Sequence, residues 1–255
     1  MPDGARALRR ARDTAVVAAV ALPLVTLVVQ GVADEWRGPS LLPQRLGTRG
    51  FATAFDEGAG GALATSLAVA LAATALALAL GWPAARALGE RRLRHPGLVL
   101  LVLGLPLLVP GYATGVGLTE WFVRLGLIDT LGGLVLAHLV VVLPYVVLAL
   151  VGGFTPSLRQ LEEQARTLGL TPARLLLLVT VPALRPALVT AVALGFLVSW
   201  GQYGLSLAVG LPTLPVVLLP YVRVDPEVAA ALATLAIVPP LLALVATARL
   251  TRRPL

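Results

Sequence analysis

The sequence predicts an all-α protein carried through a membrane by six helices. Hydrophobic residues fill 58% of its 255 positions and the mean hydropathy is +0.89, whereas soluble domains run at roughly 45–50% apolar. Apolar runs of about 20 residues, the length that crosses a hydrocarbon core, recur along the chain. Arginines gather in alternate connections between those runs, the charge pattern of a multi-pass membrane protein.

Residues 1–13 form a short basic segment with Arg6, Arg9, Arg10 and Arg12. Residues 14–33 are the first span. Gly31-Val32-Ala33 also has the small-residue character of a signal-peptide cleavage site, but the apolar part exceeds a typical h-region, so an uncleaved anchor is expected. Residues 34–60 read as a polar connection. Residues 61–82 are the second span, alanine-rich with Thr65, Ser66 and Thr74, small residues that let helices approach closely in a bilayer. Trp82 and Pro83 mark its end, and a basic turn with Arg86, Arg91, Arg92 and Arg94 follows.

The third span, residues 98–116, is interrupted by Pro106 and Pro110. It is expected to be kinked and to lie inside the bundle, where neighbours satisfy the freed backbone groups. An amphipathic piece at 120–127 suits an interfacial helix. Residues 133–153 are the fourth span, with His138 and Tyr145 seven residues apart on one face. Residues 187–209 are the fifth, 211–227 a proline-rich loop, and 228–248 the sixth, bent at Pro239-Pro240 before a basic tail.

Between the fourth and fifth spans lies a polar, arginine-bearing insert, residues 155–186. Thr155 can cap a helix and Pro156 fits its first position. Thr171 and Pro172 repeat the pair. Gly169 sits where a left-handed C-terminal cap is needed. The expectation is helix, sharp bend, helix. On the first helix Leu158, Leu161, Ala165 and Leu168 are expected to share a face, with Glu162 and Arg166 as an i, i+4 pair.

Glu163, Gln164 and Ala165, then Gly169, then Val179, Val181 and Pro182 fit a known signature. It runs Glu-Ala-Ala, three residues, Gly, nine residues, Ile-x-Leu-Pro. Seven positions over twenty residues agree; Gln164 replaces the first Ala, and valines stand for Ile and Leu. The chain thereby resembles the inner-membrane permease subunits of ATP-binding-cassette importers with the type I fold. The resemblance implies that residues 155–186 are a cytoplasmic coupling loop docking on an ATPase subunit, through Glu162, Glu163, Gln164, Ala165, Gly169 and Pro182. Of these, Glu163 is expected to fix the coupling helix and its contacts, and Gly169 to make the bend that presents it. The resemblance covers about residues 61–248, a five-span core, with 1–60 adding a first span and outer loop to one permease domain, 1–255. It also implies a second permease subunit, identical or different, and an extracytoplasmic binding protein.

Orientation follows from charge, independently of the motif. The side holding both termini and the 155–186 insert carries fifteen arginines and five acids, net +10. The other carries five arginines and eight acids, net −3, which accounts for the whole-chain +7. The basic side is expected to be cytoplasmic, which puts the chain in the inner membrane with both termini inside. The arginines are dispersed at span ends, so the high pI does not imply nucleic-acid binding.

Chemistry is sparse. No cysteine and no lysine occur, which excludes thiolate sites and the lysine-bearing phosphate loop. Two histidines, His95 and His138, have no carboxylate or serine grouping suited to catalysis. The expectation is a transport subunit without enzymatic activity, metal or cofactor of its own. ATP and magnesium would be used by the partner ATPase. Ser199, Gln202, Tyr203 and Ser206 are expected to form a polar stripe on the fifth span, faced by His138 and Tyr145 from the fourth. Such a stripe either lines the translocation path or hydrogen-bonds between helices.

The run Ser199–Gly204 followed by Thr213-Leu214-Pro215 is similar to the subgroup handling iron(III), thiamine, polyamines, sulfate or molybdate. The alternatives are a secondary carrier or channel, which needs no ATPase partner, and an integral membrane enzyme. The carrier predicts inverted repeats or intramembrane charge, and the enzyme predicts clustered acids or histidines at a span end.

Overall fold

The computed structural model describes residues 2–36 and 38–251, with side chains described for 10–250 apart from Arg37. Arg6, Arg9, Arg37, Arg252 and Arg253, which enter the charge balance, therefore lie outside the described side chains. The chain is built from helices: α1 Pro2–Gly31, α2 Arg49–Asp56, α3 Ala59–Gly89, α4 Pro96–Leu108, α5 Gly111–Arg124, α6 Leu131–Val151 and α7 Pro156–Thr167. They continue as α8 Pro172–Leu175, a π-helical segment Leu176–Thr180, α9 Val181–Ala183, α10 Arg185–Trp200, α11 Gly204–Val209, α12 Leu214–Val224 and α13 Pro226–Thr251. One small antiparallel pair, β1 Ala33–Glu35 with β2 Arg45–Leu46, interrupts the helices.

Four helical stretches are each long and apolar enough to cross a membrane: Arg10–Gly31, Ala59–Gly89, Leu131–Val151 and Pro226–Leu250. Two further passages are bent pairs. α4 meets α5 at 100°, and Pro172–Ala183 meets Arg185–Trp200 at 76°. Counting each bent pair as one crossing gives six. The protein is an all-helical, polytopic membrane protein.

Four expectations are corrected. The third span does break, at Val109–Pro110, but α4 has no buried residue among those described. Its bulky leucines face outward instead of lying inside the bundle. The fifth span stops at Trp200 and restarts at Gly204, because Gly201 and Gly204 bracket a non-helical step. The 211–227 loop contains α12; Pro215 falls in its first turn, where the missing N–H is harmless. Residues 34–60 fold into the β pair and α2 and are not simply a connection.

The chain divides into two compact units, Met1–Gly60 with Val217–Val238, and Gly61–Val216 with Pro239–Leu255. In the first, α1 and α13 meet at a small residue. A Cβ on Gly31 would lie 3.2 Å from the Ala230 carbonyl and the Ala231 Cα. Arg49 forks onto Asp225 at 2.6 and 3.1 Å, its backbone N–H donates to Asp34 at 3.1 Å, and Asp225 accepts from the Val228 N–H at 3.2 Å. One carboxylate thus caps α13 and ties α2 to it.

The second unit is organised on α6, which has 56% of its apolar window buried against 6% for Arg10–Gly31. One side of α6 packs Val142, Val146, Val147 and Leu150 against Ala77, Ala85, Leu184 and Ala191. The other packs Leu134, Ala137 and Val141 against Val69, Ala73, Leu205 and Val209. Small residues set the helix spacing, since an interior of lipid-like polarity gives no hydrophobic drive and close van der Waals approach must supply the attraction. A Cβ on Gly195 would stand 2.9 Å from Thr74 and 3.0 Å from Val146, so three spans meet where only a hydrogen fits.

Candidate functional site

The site is built from the 155–186 insert. Thr155 Oγ1 accepts from the Leu158 N–H at 3.3 Å, and Pro156 starts α7. At the other end the Gly169 N–H donates to the Arg166 carbonyl at 2.9 Å and the Leu170 N–H to the Ala165 carbonyl at 3.2 Å. These paired bonds require a left-handed residue, and Gly169 has φ +81°. Both ends of α7 therefore follow from local chemistry. At Thr171 the side chain makes no capping bond, although α8 does begin at Pro172.

The helix turns a different face inward than expected. Leu158, Glu162 and Ala165 are buried, while Leu161 is 49% and Leu168 80% exposed. Glu162, at 2% exposure, does not pair with Arg166. It accepts from the Arg86 guanidinium at the end of α3 and from Thr180 Oγ1 at 2.6 Å. Arg86 also bonds Glu90 at 2.8 Å and lies 5.9 Å from the Phe154 ring centre, next to Trp82. The helix's i, i+4 pair is Arg159 with Glu163, at 2.9 Å. Glu163 and Gln164 are exposed, so the residue that holds α7 in this chain is Glu162 and not Glu163.

Arg86 and Thr180 escaped the sequence analysis, and Glu162 was assigned the wrong partner. The available signal was the spacing 158, 162, 165, which places a carboxylate on the same helical face as Leu158 and Ala165. Such a buried charge demands a cation.

Beyond Gly169 the chain must pass Pro182, which has no N–H and whose ring crowds the preceding carbonyls. The turn widens just before it, at the π-helical Leu176–Thr180, with the Val181 N–H bonded to the Leu176 carbonyl. Pro182 itself is half-buried in α9. The 76° bend at Leu184 then starts α10.

Within the spans His138 is 2% exposed; its Nδ1 lies 2.8 Å from Ser199 Oγ and its Nε2 3.3 Å from Ser206 Oγ. Ser206 Oγ donates in turn to the Gln202 carbonyl at 3.0 Å. The expected stripe is thus split by the break at 201–203, and one imidazole bridges the two halves. Gln202 and Tyr203 are half-buried at the break. Tyr145 does not join the cluster; it packs, half-buried, beside Val141 and Leu205.

Bent apolar helix pairs and a short, polar, one-face-anchored helix between spans define a membrane transport protein. No protein-family model matches the chain. Over 195 residues it is 32% identical to the molybdenum transport system permease protein ModB of Mycobacterium tuberculosis, covering 69% of this chain and 74% of the relative. It is 28% identical over 200 residues to a candidate 2-aminoethylphosphonate transport system permease protein, PhnV, of Salmonella paratyphi A, covering 76% and 75%. It is 33% identical over 150 residues to the trehalose transport system permease protein SugB of Mycobacterium tuberculosis, covering 58% and 54%. The chain belongs to the permease subunits of ATP-binding-cassette importers. Membership leaves the carrier and membrane-enzyme alternatives without support.

Proposed function

We propose that this chain forms half of an importer's translocation path, in the cytoplasmic membrane, with both termini and α7 on the cytoplasmic side. ATPase subunits dock on α7, a second permease subunit completes the path, and an extracytoplasmic binding protein delivers the solute. ATP and magnesium belong to the ATPase. The observation that carries this reading is α7 itself. It is held from behind by Leu158, Glu162 and Ala165 while Leu161, Glu163, Gln164 and Leu168 stand free on its outer side, and Gly169 fixes the turn that presents it. An apolar residue ringed by polar ones on a short exposed helix suits a groove in a partner. Gln202 and Tyr203, at the break in the fifth span, are the residues best placed to meet solute.

The solute is proposed to be a small tetrahedral oxyanion, with molybdate the first candidate. Two of the three relatives above are named for molybdenum and for a phosphonate. The polar groups inside the spans of this chain are hydroxyl, amide and imidazole, with no carboxylate among His138, Ser199, Gln202, Tyr203 and Ser206 to repel an anion.

Co-purification with an ATPase, and ATP-dependent molybdate uptake in proteoliposomes, test the two parts separately. Glu163→Lys and Gly169→Pro are expected to uncouple ATP hydrolysis from uptake while leaving the chain in the membrane. Unaltered uptake in both variants overturns the docking role. Uptake of trehalose in place of molybdate overturns the solute class.

A further inference from the structure

Four separate elements converge on Arg86 and Glu162. Arg86 sits in the last turn of α3, and Glu162 is on the buried face of α7. Thr180 closes the π-helical segment, and Phe154 follows α6. Glu162 receives two hydrogen bonds in a nearly solvent-free position, one from Arg86 and one from Thr180 at 2.6 Å. Arg86 divides its donors between Glu162 and Glu90. A carboxylate stripped of water and held by a guanidinium and a hydroxyl cannot be pulled away from either without facing an uncompensated buried charge. A leucine at 162 would pack equally well on this face but could slide. The charged contact resists displacement in both directions, which is what a mechanical linkage needs and simple packing does not supply.

We propose that Glu162, Arg86 and Thr180 are the positioning residues through which movement of α7 is passed to the membrane-spanning helices α3 and α10. The inference rests on the reading of α7 as the ATPase-docking helix. Neither Glu162 nor Thr180 touches the ATPase in this account; they act by making α7, the end of α3 and the segment leading into α10 move as one body.

The test uses the assembled complex purified with its ATPase. This chain contains no cysteine, so Leu80→Cys on α3 and Thr167→Cys on α7 supply its two spin-label sites. Their separation is measured without nucleotide and with ATP trapped by vanadate. The expected result is one separation in both states for the otherwise unaltered chain and for Thr180→Ser, which keeps the hydroxyl. In Glu162→Ala and Thr180→Val the separation is expected to change on ATP trapping by about 2 Å or more, the scale of helix shifts in switching proteins. A merely structural role would lower stability equally in both states and leave the separation independent of nucleotide. A constant separation in Glu162→Ala and Thr180→Val overturns the linkage, as does a nucleotide-dependent one in the unaltered chain. Failure of the ATPase to co-purify with the unaltered chain overturns the docking reading itself, so the two failures are distinct.

Discussion

His138 Nδ1 lies 2.8 Å from Ser199 Oγ, a hydrogen bond that ties the central span α6 to the last turn of α10. The second ring nitrogen reaches Ser206 on α11, so a single imidazole spans the break at 201–203.

His138→Phe is therefore expected to destabilise the protein in detergent by about 2 kcal/mol, and Ser199→Ala by about 1 kcal/mol or less, in line with the modest value of hydrogen bonds between membrane helices. Thermal unfolding followed by size-exclusion chromatography checks both. Ser199→Cys should resist a membrane-impermeant thiol reagent while Tyr203→Cys reacts. Equal labelling would mean that the bridge opens to water.

Gly169 has φ +81° and open space where a Cβ would project. Gly169→Ala then meets only the conformational penalty of the left-handed region, about 1 kcal/mol, and Gly169→Asn less. Gly169→Pro also loses the bond from its N–H to Arg166 and should be much worse. An order other than Pro, Ala, Asn from most to least damaging in ATP-coupled uptake would contradict the cap.

The Asp225 carboxyl is held below its ordinary value of 3.8, chiefly by the hydrogen bond from Arg49, with further help from the Val228 N–H; partial burial works the other way. A carboxyl with a lowered native pKa binds fewer protons folded than unfolded. Its contribution is complete above the unfolded value and disappears as the pH falls through the native one. Stability of the unaltered protein should decline on acidification in that window, and Asp225→Asn should flatten the decline. At neutral pH, Asp225→Ala should cost about 1 kcal/mol as a lost helix cap. Detergent melting curves at a series of pH values measure all three.

Gly195→Val should fail to accumulate as folded protein, because even a Cβ would stand 2.9 Å from Thr74. Gly195→Ala is expected to cost about 1–3 kcal/mol, the usual range for overpacking. Thr74→Ser, which removes the crowding methyl, should recover part of that loss.

What the sequence made legible was local chemistry. Thr155, Pro156 and Gly169 bound α7 because capping depends on a few adjacent atoms. The apolar runs mark the spans because hydrocarbon thickness fixes their length. What it hid depended on partners far along the chain. Residues 158, 161, 165 and 168 fit a helical stripe as well as 158, 162 and 165 do. Only Arg86, 76 residues away from Glu162, decides between them. Likewise Asp225 and Arg49 are 176 residues apart, and nothing in residues 34–60 alone announces that they fold against α13. The break in the fifth span was written in Gly201 and Gly204, but helical spacing of the polar residues masked it.

The widened turn at Leu176–Thr180 amounts to one surplus residue spliced into an otherwise ordinary coil. Excising any one of residues 176–179 would restore regular winding and swing Thr180 about 100° around the axis. Its hydroxyl would then point away from the carboxylate it now serves. Along this stretch the number of residues is as constrained as their identity: conservative replacements should be borne, whereas shortening by one should disconnect the inner loop from the spans it precedes.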